Sequence, residues 1–477
     1  MGKSFLCDQI IKNIDNEEFY TLKVSGTKQL NKNILMKAVH DLLQPRSKNI
    51  LSHRKAKRLV LYIQDLNLAE KNEFGNQSTV EIIRQWLNHR FWINEELQPT
   101  IIEDISLVIS MSHRGIDMQL DERTKGHFAI INVPEPKTDE LVHVFTSIIS
   151  QHLLGFSEHI KCLGKQLVES SVKLHKSLRK NVTANLDNPQ CVFSLKSLSQ
   201  VMQGLNLSNK NQQYTLIKMC RLWLNEVLLA YGARMTEKRL KDAVLEDALF
   251  HLKNSTNLTY EDLYPEKVMP LIGMYSDAED EIGAQIEFTL ESATARLDDL
   301  LDKQICSASG VQKVDLVILH DTVHHITNLV RLFSQQSNHN VLLLGEAGSG
   351  RKTIVKFAAQ ICGLTFEQPD LRDIEVCDSG VHKTFWKSIV QRVAIKKEKI
   401  VICIDSENVL NPRIFDFLYG LSENGIVSNL FTYEELDQLS SEVPGSFKSD
   451  VGKFLAQEML RNLRLAVNVS TDKDYLR

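Results

Sequence analysis

The stretch Val341-Leu342-Leu343-Leu344-Gly345-Glu346-Ala347-Gly348-Ser349-Gly350-Arg351-Lys352-Thr353 decides how this chain reads. A short apolar run, a Gly-rich turn and an amphipathic continuation give a buried strand, a loop and a helix N-terminus. Such a turn presents backbone N–H groups and the positive end of a helix dipole to phosphates. The phosphate-loop pattern asks for Gly, four residues, Gly, Lys and then Ser or Thr. Counted from Gly345, Gly350 is in register. Arg351 then takes the Lys slot, Lys352 the hydroxyl slot, and Thr353 falls one residue late. Backbone capture of phosphate survives that departure, whereas the hydroxyl ligand for Mg²⁺ is displaced.

Outward from that loop, Ile400–Ile404 is a second buried strand and ends at Asp405. A strand-terminal carboxylate beside a phosphate loop holds Mg²⁺ or its waters. The usual catalytic acid would follow at once, but Ser406 stands there. Glu407, one residue further, is turned by strand alternation to the opposite face. Leu465–Val469 reads as one more strand, and His320–Ser334, Thr353–Cys362 and Lys383–Ile395 read as helices.

The same logic appears at the other end of the chain. Gly2-Lys3-Ser4 before an apolar helix has the form of the last three residues of a phosphate loop. Leu59–Ile63 is a continuous apolar run, the pattern of a buried parallel strand, and delivers Gln64 and Asp65 at its end. An extended piece near 19–24, helices over Leu35–Leu43 and Val80–Leu87, and strands over Ile105–Ile109 and Ala129–Val133 complete an alternating α/β order. From Thr138 to about Leu252 the periodicity is helical throughout. An acidic helix near Asp277–Lys303 and a small-polar break at Ser307–Gly310 follow, the latter read as a linker.

Composition bounds the rest. The chain has 477 residues, 43% hydrophobic and 24% charged, which excludes wholesale disorder and collagen-like repeats. Gly 21 and Pro 10 are scarce for this length, favouring long helices. A balance of 56 basic and 60 acidic residues gives no reason to expect nucleic-acid binding. The apolar runs are strand-length and predict no membrane span. The N-terminus lacks a signal pattern, and Leu6 occupies the position where myristoylation requires Ser or Thr. Eight Cys without paired spacing read as reduced cytosolic thiols, and neither they nor His324-His325 show zinc spacing. Trp86, Trp92, Trp223 and Trp386 read as core or interface residues.

At this point the chain resembles a known family. The run Arg58-Leu59-Val60-Leu61-Tyr62-Ile63-Gln64-Asp65-Leu66-Asn67-Leu68, then Gly75 and Val80-Glu81-Ile82-Ile83-Arg84-Gln85-Trp86-Leu87, resembles the third AAA+ module of a dynein heavy chain of axonemal type. Phe193-Ser194-Leu195, Ser199–Gly204 and Leu222-Trp223-Leu224-Asn225-Glu226 are similar to the small helical domain of that module. Gly345–Thr353, Asp405, the run from Gly425 to Phe431, and Leu465–Arg477 resemble the fourth. The fold implied is α/β: two AAA+ P-loop NTPase-type modules, each a parallel sheet flanked by helices, separated by an all-helical small domain. The corresponding boundaries are 1–137 for the third large domain, 138–255 for its helical small domain, 256–310 for a helical linker and 311–477 for the fourth large domain.

The resemblance carries functional expectations. Dynein modules of this kind bind ATP or ADP with Mg²⁺ and regulate movement along microtubules. Gly2, Lys3 and Ser4 would contact phosphate in the third module, with Ser4 on Mg²⁺. Gln64 stands where the family has its metal-binding Asp, and Asp65 in the catalytic-acid slot. Ser112 falls near a polar sensor position, and Arg123 resembles a finger reaching the preceding module. In the fourth module, Gly345, Gly348, Ser349, Gly350, Arg351, Lys352 and Thr353 would hold nucleotide. Thr353 and Asp405 would serve the metal, Asp405 and Glu407 would be the catalytic candidates, and Ser470 matches the sensor.

The implied partners are the remaining dynein modules, dynein intermediate and light chains, and microtubules through parts not in this chain. Nucleic acid and membrane are not among them. The implied setting is the cytoplasm and cytoskeleton, in the axoneme of a cilium. The chain is expected to be an excerpt, opening inside one phosphate loop and stopping near Arg477, which binds nucleotide rather than hydrolysing it efficiently. The contrasting expectations are a catalytically inactive AAA+ scaffold, which Gln64, Arg351 and Ser406 favour, and an unrelated P-loop ATPase, which would need its own complete N-terminal loop.

Overall fold

The continuous apolar runs Leu59–Ile63 and Ile400–Ile404 become buried interior strands. Val341–Leu344, expected to be buried, instead forms an edge strand among the described residues, with Leu342 and Leu344 exposed, because an edge strand has one flank without a neighbour. The computed structural model describes residues 2–15, 17–27, 30–47, 50–53, 57–69, 71–93, 98–112, 120–182, 191–208, 214–235, 237–266, 268–274, 286–307, 317–335, 340–346, 348–369, 380–406, 409, 413–425, 430–431, 433–439 and 451–470. The chain divides into two compact units. One comprises Met1–Pro134, Gln368–Ile400 and Ile404–Leu463; the other comprises Glu135–Glu367, Val401–Cys403 and Arg464–Arg477.

The first unit opens with α1 (Lys3–Lys12), β1 (Phe19–Ser25), α2 (Lys32–His40), β2 (Leu43–Ser47), β3 (Ile50–His53) and β4 (Arg58–Gln64). It continues with α3 (Ser78–His89), β5 (Phe91–Ile93), β6 (Pro99–Ile102), β7 (Ile105–Ser110) and α4 (Glu122–Lys125). Strands β1, β4 and β7 form a parallel sheet in that order. Its register aligns Ser25 with Gln64 and Gln64 with Ser110, so three polar residues share the C-terminal edge. Leu35, Val39, Leu59, Leu61, Ile63, Ile83 and Trp86 form its core. A second sheet, β2-β3-β6-β5, is mixed.

The second unit begins with the helical segment α5 (Thr138–His152), α6 (Glu158–Asn181), α7 (Leu195–Leu205), α8 (Leu216–Ala230), α9 (Lys238–Thr256) and α10 (Tyr260–Leu263). Its apolar stripes close around Trp223, whose indole N–H donates to Ser171 Oγ at 2.7 Å. There follow β8 (Leu271–Gly273), β9 (Ile286–Phe288), α11 (Leu290–Ser307), α12 (His320–Ser334), β10 (Val341–Gly345), α13 (Arg351–Ile361) and β11 (Thr365–Glu367). The chain then runs through α14 (Gly380–Ala394), β12 (Ile400–Asp405), α15 (Arg413–Asn424), α16 (Tyr433–Leu439), α17 (Val451–Asn462) and β13 (Leu463–Ser470). A four-stranded sheet has the order β10-β13-β12-β11, with β10 and β13 parallel. Helices α12 and α13 cover it through Ile326, Val330, Phe333, Val355, Phe357 and Ala358. Helices α14 to α17 pack with one another in the first unit, where a Cβ on Gly425 (φ 76°) would overlap the Ala456 carbonyl.

Several expectations shift. Ala129–Val133 forms no strand, and Ile130 and Ile131 are exposed there, because an apolar run alone supplies no partner strand. The helix expected over Leu35–Leu43 lies at Lys32–His40, with Asn31 accepting the Ile34 N–H as its cap, and Leu43 starts a strand. Helix α13 begins at Arg351 rather than Thr353, because Gly350 takes the left-handed cap position. The acidic helix starts at Leu290; residues 275–285 lie outside the described set, as do 308–310 of the expected linker. No helix among the described residues is long and apolar enough to cross a membrane.

Candidate functional site

Each unit contains one end of a sheet where phosphate-loop residues meet strand-terminal polar groups. In the second unit, β10 ends at Gly345, which pairs with Ser470 at the end of β13. The chain then turns through Gly348 (φ 79°) and Gly350 (φ 76°), a left-handed conformation that glycine adopts without strain. Gly350 caps the eleven-residue α13, so the N–H groups of its first turn have no partner within the helix. The loop folds back on its strand: a Cβ on Gly345 would lie 3.2 Å from Ser349 Oγ and 3.4 Å from Arg351 Cδ. Arg351 does not extend into solvent. Its Nη1 donates to the Val469 carbonyl, tying the first turn of α13 to the end of β13. Glu346, Gly348, Ser349 and Lys352 are exposed and Thr353 is half-buried; Ala347 lies outside the described residues.

Asp405 ends β12, where it is half-buried and accepts from Gln368 Nε2 at 2.9 Å. Ser406, in the slot of the usual catalytic acid, is buried. Glu407 lies outside the described residues.

In the first unit, α1 starts after Gly2 (φ 96°), with Lys3 and Ser4 half-buried at its first turn. Asp65 follows β4 in a left-handed conformation (φ 51°). Gly26 permits this turn: its N–H donates to the Gln64 carbonyl at 2.6 Å, and a Cβ there would overlap the Asp65 carbonyl. Burial raises the Asp65 carboxyl above the ordinary range, while the Lys3 ammonium and the Gln64 side chain pull it back. Lys3 and Asp65, far apart in sequence, are therefore electrostatic neighbours.

Two side chains here escaped the sequence reading. The Tyr62 phenol is fully buried, 2.9 Å from Ser110 Oγ, and in hydrogen-bond contact with Ser4. Burial pushes it up to about 12, so it remains protonated at neutral pH. Ser110, rather than Ser112, ends β7 opposite Gln64, in a position like that of Ser470 opposite Gly345. The signal was the parallel endings Val108-Ile109-Ser110 and Asn468-Val469-Ser470. Ser112 is half-buried just past the strand, and Arg123 is exposed on the short α4.

The two ends differ in what they can hold. The loop at Gly345–Thr353 offers N–H groups, a helix N-terminus and open space above two glycines, which suits phosphate. At the first-unit end, Gln64 stands in the metal slot with its amide oxygen buried and without a hydrogen-bond partner. A neutral amide is a poorer Mg²⁺ ligand than a carboxylate. That end fits phosphate, through Lys3 and Ser4, better than it fits metal. No group of three or more His, Cys, Asp or Glu side chains that could hold a metal occurs among the described residues.

Comparison with known proteins accords with this geometry. A family model described as the P-loop containing dynein motor region matches residues 1–136. A second, the P-loop containing dynein motor region D4, matches 314–465, and the dynein heavy chain ATPase lid domain matches 145–241. Dynein axonemal heavy chain 2 of Homo sapiens is 23% identical, with 100% of this chain and 11% of that protein covered. The dynein-1-beta heavy chain of the flagellar inner arm I1 complex of Chlamydomonas reinhardtii is 22% identical over 98% of this chain and 11% of that protein. Dynein axonemal heavy chain 17 of Homo sapiens is 24% identical, with 100% and 11% covered. The chain thus spans about a tenth of the length of these relatives.

Proposed function

The chain belongs to the dynein heavy chain family, and from that premise we propose that it is a nucleotide-responsive part of a motor ring, binding ATP or ADP at Gly345–Thr353. The observation that carries this reading is the loop itself: two left-handed glycines, with open space above them, lead directly into the first turn of α13. The N–H groups of that turn would hold the phosphates, with the helix dipole adding to the attraction. Thr353 is the residue of this loop that we assign to Mg²⁺, which when bound neutralises phosphate charge, and for Asp405 a metal role is proposed from the resemblance alone. Arg351 would act from the side, keeping the loop against β13 through Val469. Ser470, opposite Gly345, is the group we assign to sensing the phosphates.

In the first unit, Gly2, Lys3 and Ser4 would contact phosphate, with Asp65 as the acid. Ser4 is engaged by Tyr62, and Gln64 supplies no charge, so this site would retain nucleotide rather than turn it over. Its assignment as a third module, with the helices from 138 to 255 as its lid and 311–477 as the fourth module, rests on the order of the matched segments. The axonemal cytoskeleton is the setting proposed. The remaining ring modules, intermediate and light chains, and microtubules through other parts of a heavy chain are the partners proposed.

Titration with a fluorescent ATP analogue in the presence of Mg²⁺ tests the nucleotide claim. Saturable binding that ADP displaces is expected; no binding to the folded chain would overturn it. A second reading, a scaffold without turnover, is favoured by Gln64 and by Ser406 in the acid slot. It predicts that Asp405→Asn leaves both affinity and turnover unchanged.

A further inference from the structure

The second unit contains a buried charge pair that the nucleotide reading does not use. Glu226 on α8 is 4% exposed and Arg331 on α12 is fully buried, and carboxylate and guanidinium are in direct contact. Space for the pair is made on a third helix: a Cβ on Gly204 of α7 would overlap the Glu226 carboxylate. Burying a guanidinium costs more than its partner returns unless the geometry is well satisfied, so such a pair is weak as a stabiliser and stronger as a device that fixes one arrangement.

What it fixes is the layer behind the phosphate loop. Helix α12 packs on α13 through Ile326, Val330 and Phe333 against Val355, Phe357 and Ala358. One turn past Arg331, the Gln335 carbonyl at the end of α12 accepts from Arg464 Nη2 at 2.8 Å. Arg464 lies in β13 two residues before Ala466, where its pairing with β10 begins, and Arg351 closes the circuit at Val469. The lid helices α7 and α8 are thus joined by one ion pair to a helix braced on both α13 and β13.

We propose that Glu226–Arg331 is a positioning pair that makes lid helices α7–α8 and the α12–α13 layer one mechanical piece, so that phosphate binding at Gly345–Thr353 is felt in the lid. The proposal rests on the nucleotide reading above. Gly204 belongs to the device, because any larger residue there displaces Glu226.

Hydrogen exchange of the full chain with and without ADP tests it. ADP is expected to slow exchange in α13 and, by about tenfold, in α8. In the double variant Glu226→Leu with Arg331→Met both charges leave together. It is expected to slow in α13 but not in α8; equal slowing of α8 in variant and wild type would overturn the proposal. Slowing of α13 alone in the wild-type chain also overturns it while leaving the nucleotide reading intact. Slowing in neither element overturns both. Should the double variant fail to fold, exchange of the wild-type chain in graded urea decides the matter: α8 and α12 must open with one common free energy, and separate openings refute the pair's role.

Discussion

His175 provides a sharp quantitative test of the lid's interior. It lies on α6, 1% exposed, with Nδ1 3.0 Å from the Tyr231 hydroxyl. Burial is the main cause that pushes its pKa down to about 4, and the nearby Arg179 and Lys176 act in the same direction. The folded lid therefore keeps the ring neutral, whereas the unfolded chain protonates it below about pH 6.5. Stability from this site is complete above about pH 6.5, is lost as pH falls toward about 4, and changes no further below that. At about 1.4 kcal/mol per pH unit, the interval from about 6.5 to about 4 is worth about 3 kcal/mol. His175→Gln keeps a polar partner for Tyr231 and removes the titration. Urea unfolding of both proteins at about pH 7 and about pH 4 measures the difference. Carboxylates titrate equally in the two proteins and cancel. The wild type should lose about 3 kcal/mol more than the variant on acidification. Parallel losses would mean that His175 is protonated inside the fold or solvated there, and the argument from burial would fail.

Other outcomes follow from the same structure. Gly425→Ala places a methyl group against the Ala456 carbonyl at φ 76°, so it should destabilise the first unit by at least about 1–3 kcal/mol in thermal unfolding. Arg331→Met alone leaves Glu226 buried without its partner and should cost about 3–5 kcal/mol, while adding Glu226→Leu should restore most of that loss in urea melts. Asp405→Asn should weaken analogue binding in Mg²⁺ more than in EDTA, since the proposed role of Asp405 is on the metal; equal weakening would remove that role.

Legibility in the sequence followed the physics of burial. Leu59–Ile63 and Ile400–Ile404 are buried on both faces, so they appear as unbroken apolar runs, and both proved to be sheet strands. The sheet β2-β3-β6-β5 was missed because its strands have three to five residues and include Pro45 and Pro99, too short for any period to emerge. Ala129–Val133 misled for the opposite reason: its composition suits a strand, but pairing is a tertiary fact. At the site, spacing pointed to Lys3, Ser4 and Asp65, which the fold does bring near one another. Tyr62 sits inside an apolar run and looked like core; only the register that sets β4 beside β7 reveals its bond to Ser110. Glu226 and Arg331 are distant in sequence, and no local pattern could pair them.

The central claim is that the loop from Gly345 to Thr353 binds a nucleotide through its backbone. Native mass spectrometry of the intact chain with excess ADP tests it most directly, in parallel with Gly350→Val. A branched side chain cannot take the left-handed conformation of Gly350, so the N–H cradle should be lost while the core persists. The account predicts that a folded Gly350→Val chain carries one ADP fewer than the wild-type chain, because only the adduct at Gly345–Thr353 depends on that glycine. No adduct on the wild type, or the same number of adducts on both chains, would contradict it.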